Sequence, residues 1–337
     1  MKGIIIILLL GLLIGCSSKK EIPEILKNDF QVRIISNAKS ESAINLDENH
    51  LKDILILLHT LVSPEEITKY FNLTEPVFNE RINDLFSQGL IKRTEEGKFV
   101  PSCMIIDFEK GTQLKKLSDS LGKVMSGIAI DRIKKVKEAY TKIISFKNIP
   151  FESLSLFILG DVLHSYWQWR FIQERYLKAD PPQRGLSRSY LSLVENSSNN
   201  KHEVFGLYTN RFSENEKYMV GYFGNQRIYI NELPTEGQVN DIVRSKKIIL
   251  PVISKEDQKK LYELALIITQ DLLNYLEKNR PLFIKTYLNS IYKDQTTFRE
   301  WFVWFYQFII TSTIEDLIKK GYIQTDVTKN TFFLLMK

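Results

Sequence analysis

Residues 301–314 read WFVWFYQFIITSTI, fourteen consecutive positions without a charge. A helix that is apolar on every side is either buried in a large core or spans a membrane. Fourteen residues rise only about 21 Å as a helix, short of the roughly 30 Å of bilayer hydrocarbon. The run is therefore expected to be the interior helix of a folded core. The chain is long enough to enclose it: 337 residues, 44% of them apolar or aromatic, with only 15 Gly and 10 Pro. That composition is globular, not disordered, and the length suits two domains of ordinary size.

The first twenty residues are of another kind. Lys2 is followed by an unbroken apolar run from Gly3 to Gly15, then Cys16, Ser17, Ser18, Lys19 and Lys20. The run is too short to cross a bilayer and fits the apolar core of a secretory signal. Leu13-Ile14-Gly15-Cys16 resembles the lipobox of bacterial lipoprotein signal peptides, with Ile14 standing where a small residue is usual. The resemblance implies lipidation of the Cys16 thiol and cleavage just before it, so residues 1–15 form the signal and residues 16–46 a polar tether. Several acyl chains on one cysteine anchor a protein firmly. In that family Asp after the cysteine retains the protein at an inner membrane; Ser17 here implies an outer-membrane address where the host has two membranes. Lipid on Cys16 leaves Cys103 alone, so no intrachain disulfide is expected. Phe30–Ile35 alternates as a strand would at the inner end of the tether.

From Asp47 the pattern turns helical. Leu51, Ile54, Leu55, Leu58 and Leu61 recur at helical spacing. Ser63, Pro64 and Glu66 make a capping box with proline at the first helical position, starting a helix over Pro64–Phe71. Thr74 is placed to cap a third helix beginning Glu75-Pro76, with Val77, Phe78, Ile82, Leu85 and Phe86 as its apolar face and Gly89 as its terminator. Residues 90–94 and 98–100 then flank Glu95-Glu96-Gly97 as a hairpin. Helix, helix, short turn, helix and hairpin, over residues 47–106, resemble the winged helix-turn-helix superfamily, in particular its bacterial regulator type. The resemblance covers under a fifth of the chain and concerns the fold, which does not fix function.

The remaining chain is mostly helical by pattern. Residues 107–147 form a basic linker, one helix or two broken near Gly127, and Phe151–Leu177 reads as one buried helix. Val204–Asn210 and Tyr218–Phe223 read as a β-hairpin, with further strands at Arg227–Ile230 and Ile248–Val252. Lys255–Asn279 and Pro281–Tyr292 read as two amphipathic helices and Thr297–Lys320 as the last. The phrase Ile314–Ile323 matches Ile82–Ile91 at five of ten places, and Thr331–Met336 follows as a strand. That is either a degenerate second winged end at 314–336 or an ordinary helix–glycine–strand junction.

A winged helix suggests DNA, but its charges oppose that reading. Residues 47–106 hold ten Asp or Glu against six Lys or Arg, and duplex binding rests on cations that neutralise phosphates. The third helix carries Glu75, Glu80 and Asp84 against Arg81. The positive charge lies next door, ten Lys or Arg against four acids over Glu109–Lys147. There Lys134, Lys135 and Lys137 either meet anionic headgroups or another acidic surface, or form a solvated face.

For chemistry, Asp161 and His164 share a helix face, either as an acid–base pair or as a polar contact in an aromatic core. Trp167, Trp169, Trp301 and Trp304, with their aromatic neighbours, either line a glycan or lipid groove or pack as core. The loop Pro181–Gly185 is the expected exposed recognition element. His50, His59, His164 and His202 lack metal-ligand spacing, and no phosphate-binding or nucleophile motif occurs, so no catalytic residue, cofactor or metal is assigned. The expectation is an α+β, predominantly helical protein: a winged-helix-like domain at 47–106 and a larger helical domain at 148–337 with a β-hairpin near 203–224. Its role is that of a lipid-anchored, non-enzymatic binding protein of the cell envelope, with a protein or envelope component as partner. The alternatives are a nucleic-acid-binding regulator, if Cys16 does not direct export, and an envelope enzyme using Asp161 and His164.

Overall fold

The computed structural model describes residues 21–36, 45–196, 206–214, 216–225, 250–324 and 331–337. The lipobox with Cys16, the outer part of the tether, His202 and the strand expected at 227–230 lie outside them. The fold is α+β with helix predominating, ten α-helices among the described residues. The helices are α1 (Ile22–Ile25), α2 (Leu51–His59), α3 (Pro64–Tyr70), α4 (Glu75–Ser87), α5 (Phe108–Asp131), α6 (Ile133–Tyr140), α7 (Tyr166–Phe171), α8 (Lys255–Leu288), α9 (Tyr292–Gln295) and α10 (Phe298–Lys319). The strands are β1 (Asp29–Ser36), β2 (Ile91–Arg93), β3 (Phe99–Pro101), β4 (Met104–Ile106), β5 (Gln183–Arg184), β6 (Ser187–Asn196), β7 (Tyr208–Glu214), β8 (Tyr218–Asn225), β9 (Val252–Ile253) and β10 (Thr331–Met336).

One sheet is the wall between two hydrophobic cores. β6 pairs antiparallel with β1 and parallel with β4. Successive side chains of a strand point to opposite faces. Leu191 and Leu193 of β6, Ile105 of β4 and Phe30 of β1 therefore enter the smaller core, with Leu55, Ile67, Phe78, Ile82 and Leu85. Tyr190, Val194, Met104 and Ile106 enter the larger one. Residues 47–106 thus complete their core with strands drawn from residues 29–36 and 187–196. α1 and β1 lie within residues 16–46, and β1 belongs to the first sheet.

The larger core is built around α10. Every residue from Trp301 to Ile314 is buried, as a helix without a polar face requires. α5 lies along it closely enough for Ser118 Oγ and Ser312 Oγ to stand 2.8 Å apart. A Cβ on Gly122 would meet the Ser312 Cβ at 2.6 Å and its backbone carbon at 2.7 Å, so only glycine permits this approach. A second sheet, in the order β7-β8-β10-β9, closes the other side. β10 takes its partners from β8 and β9, and no strand forms over residues 321–324.

Several elements differ from the sequence pattern. Phe151–Leu177 is not one helix: a 3-10 turn and a π-helical stretch (Leu156–Val162) end at Ser165, and α7 leads into a second π-helical stretch (Ile172–Leu177). At Gly160 a Cβ would meet the Phe223 ring at 2.6 Å, so this stretch packs directly against β8. The basic linker breaks at Arg132, where φ is −102°, not at Gly127. α8 runs through Pro281 without a break, although proline removes one helical hydrogen bond. Much of the connection expected at 212–217 is strand, so the hairpin runs β7 to β8 with Phe212 opposite Gly221.

Candidate functional site

The exposed face of α4 is the best-defined candidate surface. α3 begins with the capping box read from the sequence: Glu66 N donates to Ser63 Oγ (3.2 Å) and Ser63 N donates to Glu66 Oε2 (3.0 Å). α4 follows after the turn at Asn72, with Thr74 at the N-cap position but without a side-chain cap bond. Phe78, Ile82 and Leu85 are buried. Phe86, expected on that apolar face, is instead 52% exposed. Glu75 and Glu80 are exposed as well, and Arg81 turns toward Asp84, 4.0 Å away. The outer face of α4 is therefore acidic with one projecting aromatic ring.

Gly89 ends α4 with φ +66°, and Leu90 N donates to the Leu85 carbonyl (2.8 Å), the bond that closes a Schellman motif. A Cβ on Gly89 would stand 2.7 Å from the Gln183 carbonyl oxygen, so the 181–185 loop lies directly against this turn. Gly185 N donates to the Gln88 carbonyl (3.3 Å). Leu186, 93% exposed, is thereby brought to the same end of α4 as Phe86.

The loop is not the exposed recognition element expected of it. Arg184 is 2% exposed and pairs with Glu300 across 3.3 Å. Its guanidinium also donates to the carbonyls of Gly89 and Ser102 and to Ser102 Oγ. Glu300 Oε1 accepts from Leu191 N (2.9 Å). Burial raises the Glu300 pKa, with Arg184 and the Leu191 N–H opposing. Further bonds cross the same seam: His59 Nδ1 lies 2.7 Å from Gln295 Oε1, Tyr292 OH donates to the Ile105 carbonyl (2.7 Å), and Thr296 Oγ1 donates to the Ser102 carbonyl (3.1 Å). The turn after α4, the end of α2 and the segment 102–105 are thus tied to α9 and the start of α10. Glu300 was not singled out in the sequence, yet a carboxylate directly before the charge-free stretch 301–314 is a signal that a cation must meet it if it is buried.

Asp161 and His164 are both fully buried, and no hydrogen bond joins them among the described residues. Asp161 Oδ1 accepts from Tyr166 N (3.1 Å), across the break at Ser165. His164 Nδ1 donates to the Leu159 carbonyl (2.6 Å). Burial pushes Asp161 up to about 7, with Asn210 and the Tyr166 N–H opposing. Burial pulls His164 down to about 4, with the carbonyls of Leu159 and Met125 opposing. At neutral pH the imidazole is uncharged, and neither side chain meets solvent. A triad-like pair, in which the carboxylate orients the ring, is not formed.

Trp167, Trp301 and Trp304 are buried in the larger core with Phe302, Phe305 and Tyr306, so these rings pack the interior and line no groove. Cys103 is buried, and burial raises its thiol to about 12, which keeps it protonated. Among the described residues no group of three His, Cys, Asp or Glu side chains is placed to hold a metal ion, and no helix is long and apolar enough to cross a membrane. A depression of about 270 Å³ beside Gln173, Glu174, Lys178, Ala179 and Asp180 includes neither Asp161 nor His164 among its lining residues. Compared with protein-family models, curated proteins and solved structures, the chain matches none of them.

Proposed function

We propose that this chain is an exported lipoprotein, anchored through lipid on Cys16, whose residues 47–106 are a winged-helix-like segment serving as a protein-interaction platform. The order α2, α3, α4 and the β2–β3 hairpin supports the winged-helix reading. The observation that carries the platform reading is the outer face of α4, which exposes Glu75 and Glu80 along its length and Phe86 in its last turn, with exposed Leu186 next to the loop residue that bonds Gln88 at that end. Carboxylates on the helix that would enter a groove meet phosphates unfavourably. An aromatic ring on a rigid, desolvatable surface is the usual anchor of a protein contact. The anchor half of the proposal rests on Lys2, the apolar run and Leu13–Cys16.

The test begins with compartment. Cells expressing wild type or Cys16→Ser are fractionated and labelled with radioactive palmitate. A labelled, membrane-bound wild type beside an unlabelled mutant supports the anchor; two unlabelled cytosolic proteins refute it and bring back a nucleic-acid-binding regulator. A photo-crosslinking residue at position 86 then tests the platform in intact envelopes. One discrete adduct, abolished by Glu80→Lys, supports the platform; no adduct at 86 counts against it.

A further inference from the structure

Between α6 and Phe151 the chain makes a tight 3-10 turn, Ile144–Phe146. Ile143 and Phe146 on either side are buried, while Ile144 is 70% exposed. The turn is pinned to the start of α8: Ser145 donates from both its N and its Oγ to Asp257 Oδ2 (2.7 Å each), and Ser254 N donates to Ser145 Oγ (3.2 Å). An aliphatic side chain is thus held out into solvent on a rigid support.

Lysines flank it. Side chains three apart eclipse in a 3-10 turn, which puts Lys147 on the side of Ile144. Lys142 lies two residues before, and Lys255 directly follows Ser254, with Lys259 one helical turn on. All four are exposed, and none forms an ion pair among the described residues. The acids at this end are largely engaged: Asp257 with Ser145 and Lys260, Glu256 with Lys260 (3.5 Å), and Glu152 with Lys137 (3.2 Å). Glu138 stands one turn back on α6, whose exposed residues also include Lys134 and Lys135.

We propose that this end of the molecule rests on an anionic lipid surface, with Ile144 entering below the headgroups and Lys142, Lys147, Lys255 and Lys259 meeting the phosphodiesters. An aliphatic tip with lysines before it, after it and on the element that pins it matches the layering of a bilayer face, charge outermost and hydrocarbon beneath. Lysine suits the task, because its long apolar stem lies along hydrocarbon while the ammonium stays in water. Each such lysine adds about fivefold to partitioning onto an anionic surface. The contact is separate from the anchor at Cys16 and stands or falls without it.

The test places a polarity-sensitive dye on Ile144→Cys in the full chain, with Cys16→Ser so that no other accessible thiol remains; the buried Cys103 does not react. Neutral vesicles control for any affinity of the N-terminal apolar run for lipid, which acts on both compositions. On vesicles of phosphatidylcholine mixed with phosphatidylglycerol, a blue shift and quenching by bilayer-embedded nitroxide are expected. Both vanish on phosphatidylcholine alone, in high salt and in the K142E/K147E/K255E variant, whose melting temperature is unchanged. An equal shift on neutral vesicles, or a shift that survives charge reversal, overturns the proposal. A dye silent on both vesicle types also overturns it and leaves the patch to an acidic protein surface.

Discussion

Arg184 and Glu300, both 2% exposed, form an ion pair at the seam where the turn after α4 meets the first turn of α10. The pair also satisfies backbone groups, since Arg184 serves the carbonyls of Gly89 and Ser102 and Glu300 takes the Leu191 N–H. Removing one member of such a pair leaves an uncompensated buried charge, at a cost of about 3–5 kcal/mol. Arg184→Ala is expected to lose that much in urea unfolding, and Glu300→Gln less, because its amide oxygen still accepts from Leu191. A double R184M/E300L variant should remain below wild type, since each orphaned backbone group costs about 1–3 kcal/mol. An Arg184→Ala protein within 1 kcal/mol of wild type would show that the seam is held by packing alone.

Asp161 and His164 titrate against each other. A carboxyl whose folded pKa is raised, from 3.8 to about 7, contributes stability that is complete below 3.8 and lost as pH rises through 7. A histidine whose folded pKa is lowered, from 6.5 to about 4, contributes stability that is complete above 6.5 and lost as pH falls through 4. Between about 4 and 6.5 the folded protein holds its proton on Asp161, and the unfolded chain holds one on His164. The two slopes cancel there. Asp161→Asn should expose the histidine slope, with stability rising by up to about 1.4 kcal/mol per pH unit from pH 4 to 6.5. His164→Gln should expose the opposite slope, with stability falling from pH 4 to 7. Thermal melts of the three proteins across that range decide it, and parallel curves would refute the opposition.

The parts of this fold that were legible in the sequence are those written in local chemistry. The capping box at Ser63 and Glu66, the glycine at 89 and the turn at Gly97 each act within a few residues, so α3, α4 and the β2–β3 hairpin could be placed. The burial of residues 301–314 was legible because an absence of charge leaves a helix no wet face. What could not be read depends on partners distant in sequence. Arg184 looked exposed in a Pro-rich loop because nothing nearby announces Glu300. The shared wall of β1, β6 and β4 joins three separate stretches, each too short to reveal its pairing. Ser165 breaks its helix for a reason supplied by Asp161 and the neighbouring sheet, not by proline or glycine. Phe86 counts toward the apolar stripe of α4 by spacing, but it sits about 100° round the helix from buried Leu85, at the edge of the stripe, and is left exposed.

Two glycines of α5 should respond in opposite directions to alanine. At Gly122 the added Cβ meets Ser312 and the Thr313 nitrogen, all within 2.7 Å, so α5 and α10 must separate. Overpacking of this kind costs about 1–3 kcal/mol. At Gly127 nothing lies within 4 Å of the added atom, and replacing a mid-helix glycine by alanine stabilises by about 0.5–1 kcal/mol. Chemical unfolding of Gly122→Ala and Gly127→Ala measures both. Equal effects would mean that helix propensity, not the approach to α10, governs these positions.

Ser63 and Thr74 both stand at N-cap positions, but only one acts as a cap. Ser63 Oγ accepts from Glu66 N at 3.2 Å, and Glu66 returns a bond to Ser63 N. Thr74 makes no side-chain cap bond, and α4 begins instead with Pro76 in its first turn. Proline there needs no donor partner, since that N–H would be unsatisfied in any helix. Losing a working cap costs about 1 kcal/mol, so Ser63→Ala should destabilise by that amount and Thr74→Ala by a few tenths at most. Amide exchange gives a local check: in Ser63→Ala the amides of Glu66 and Ile67 should lose protection while those of α4 keep theirs. If Thr74→Ala proves as costly as Ser63→Ala, the Thr74 hydroxyl caps α4 in solution after all.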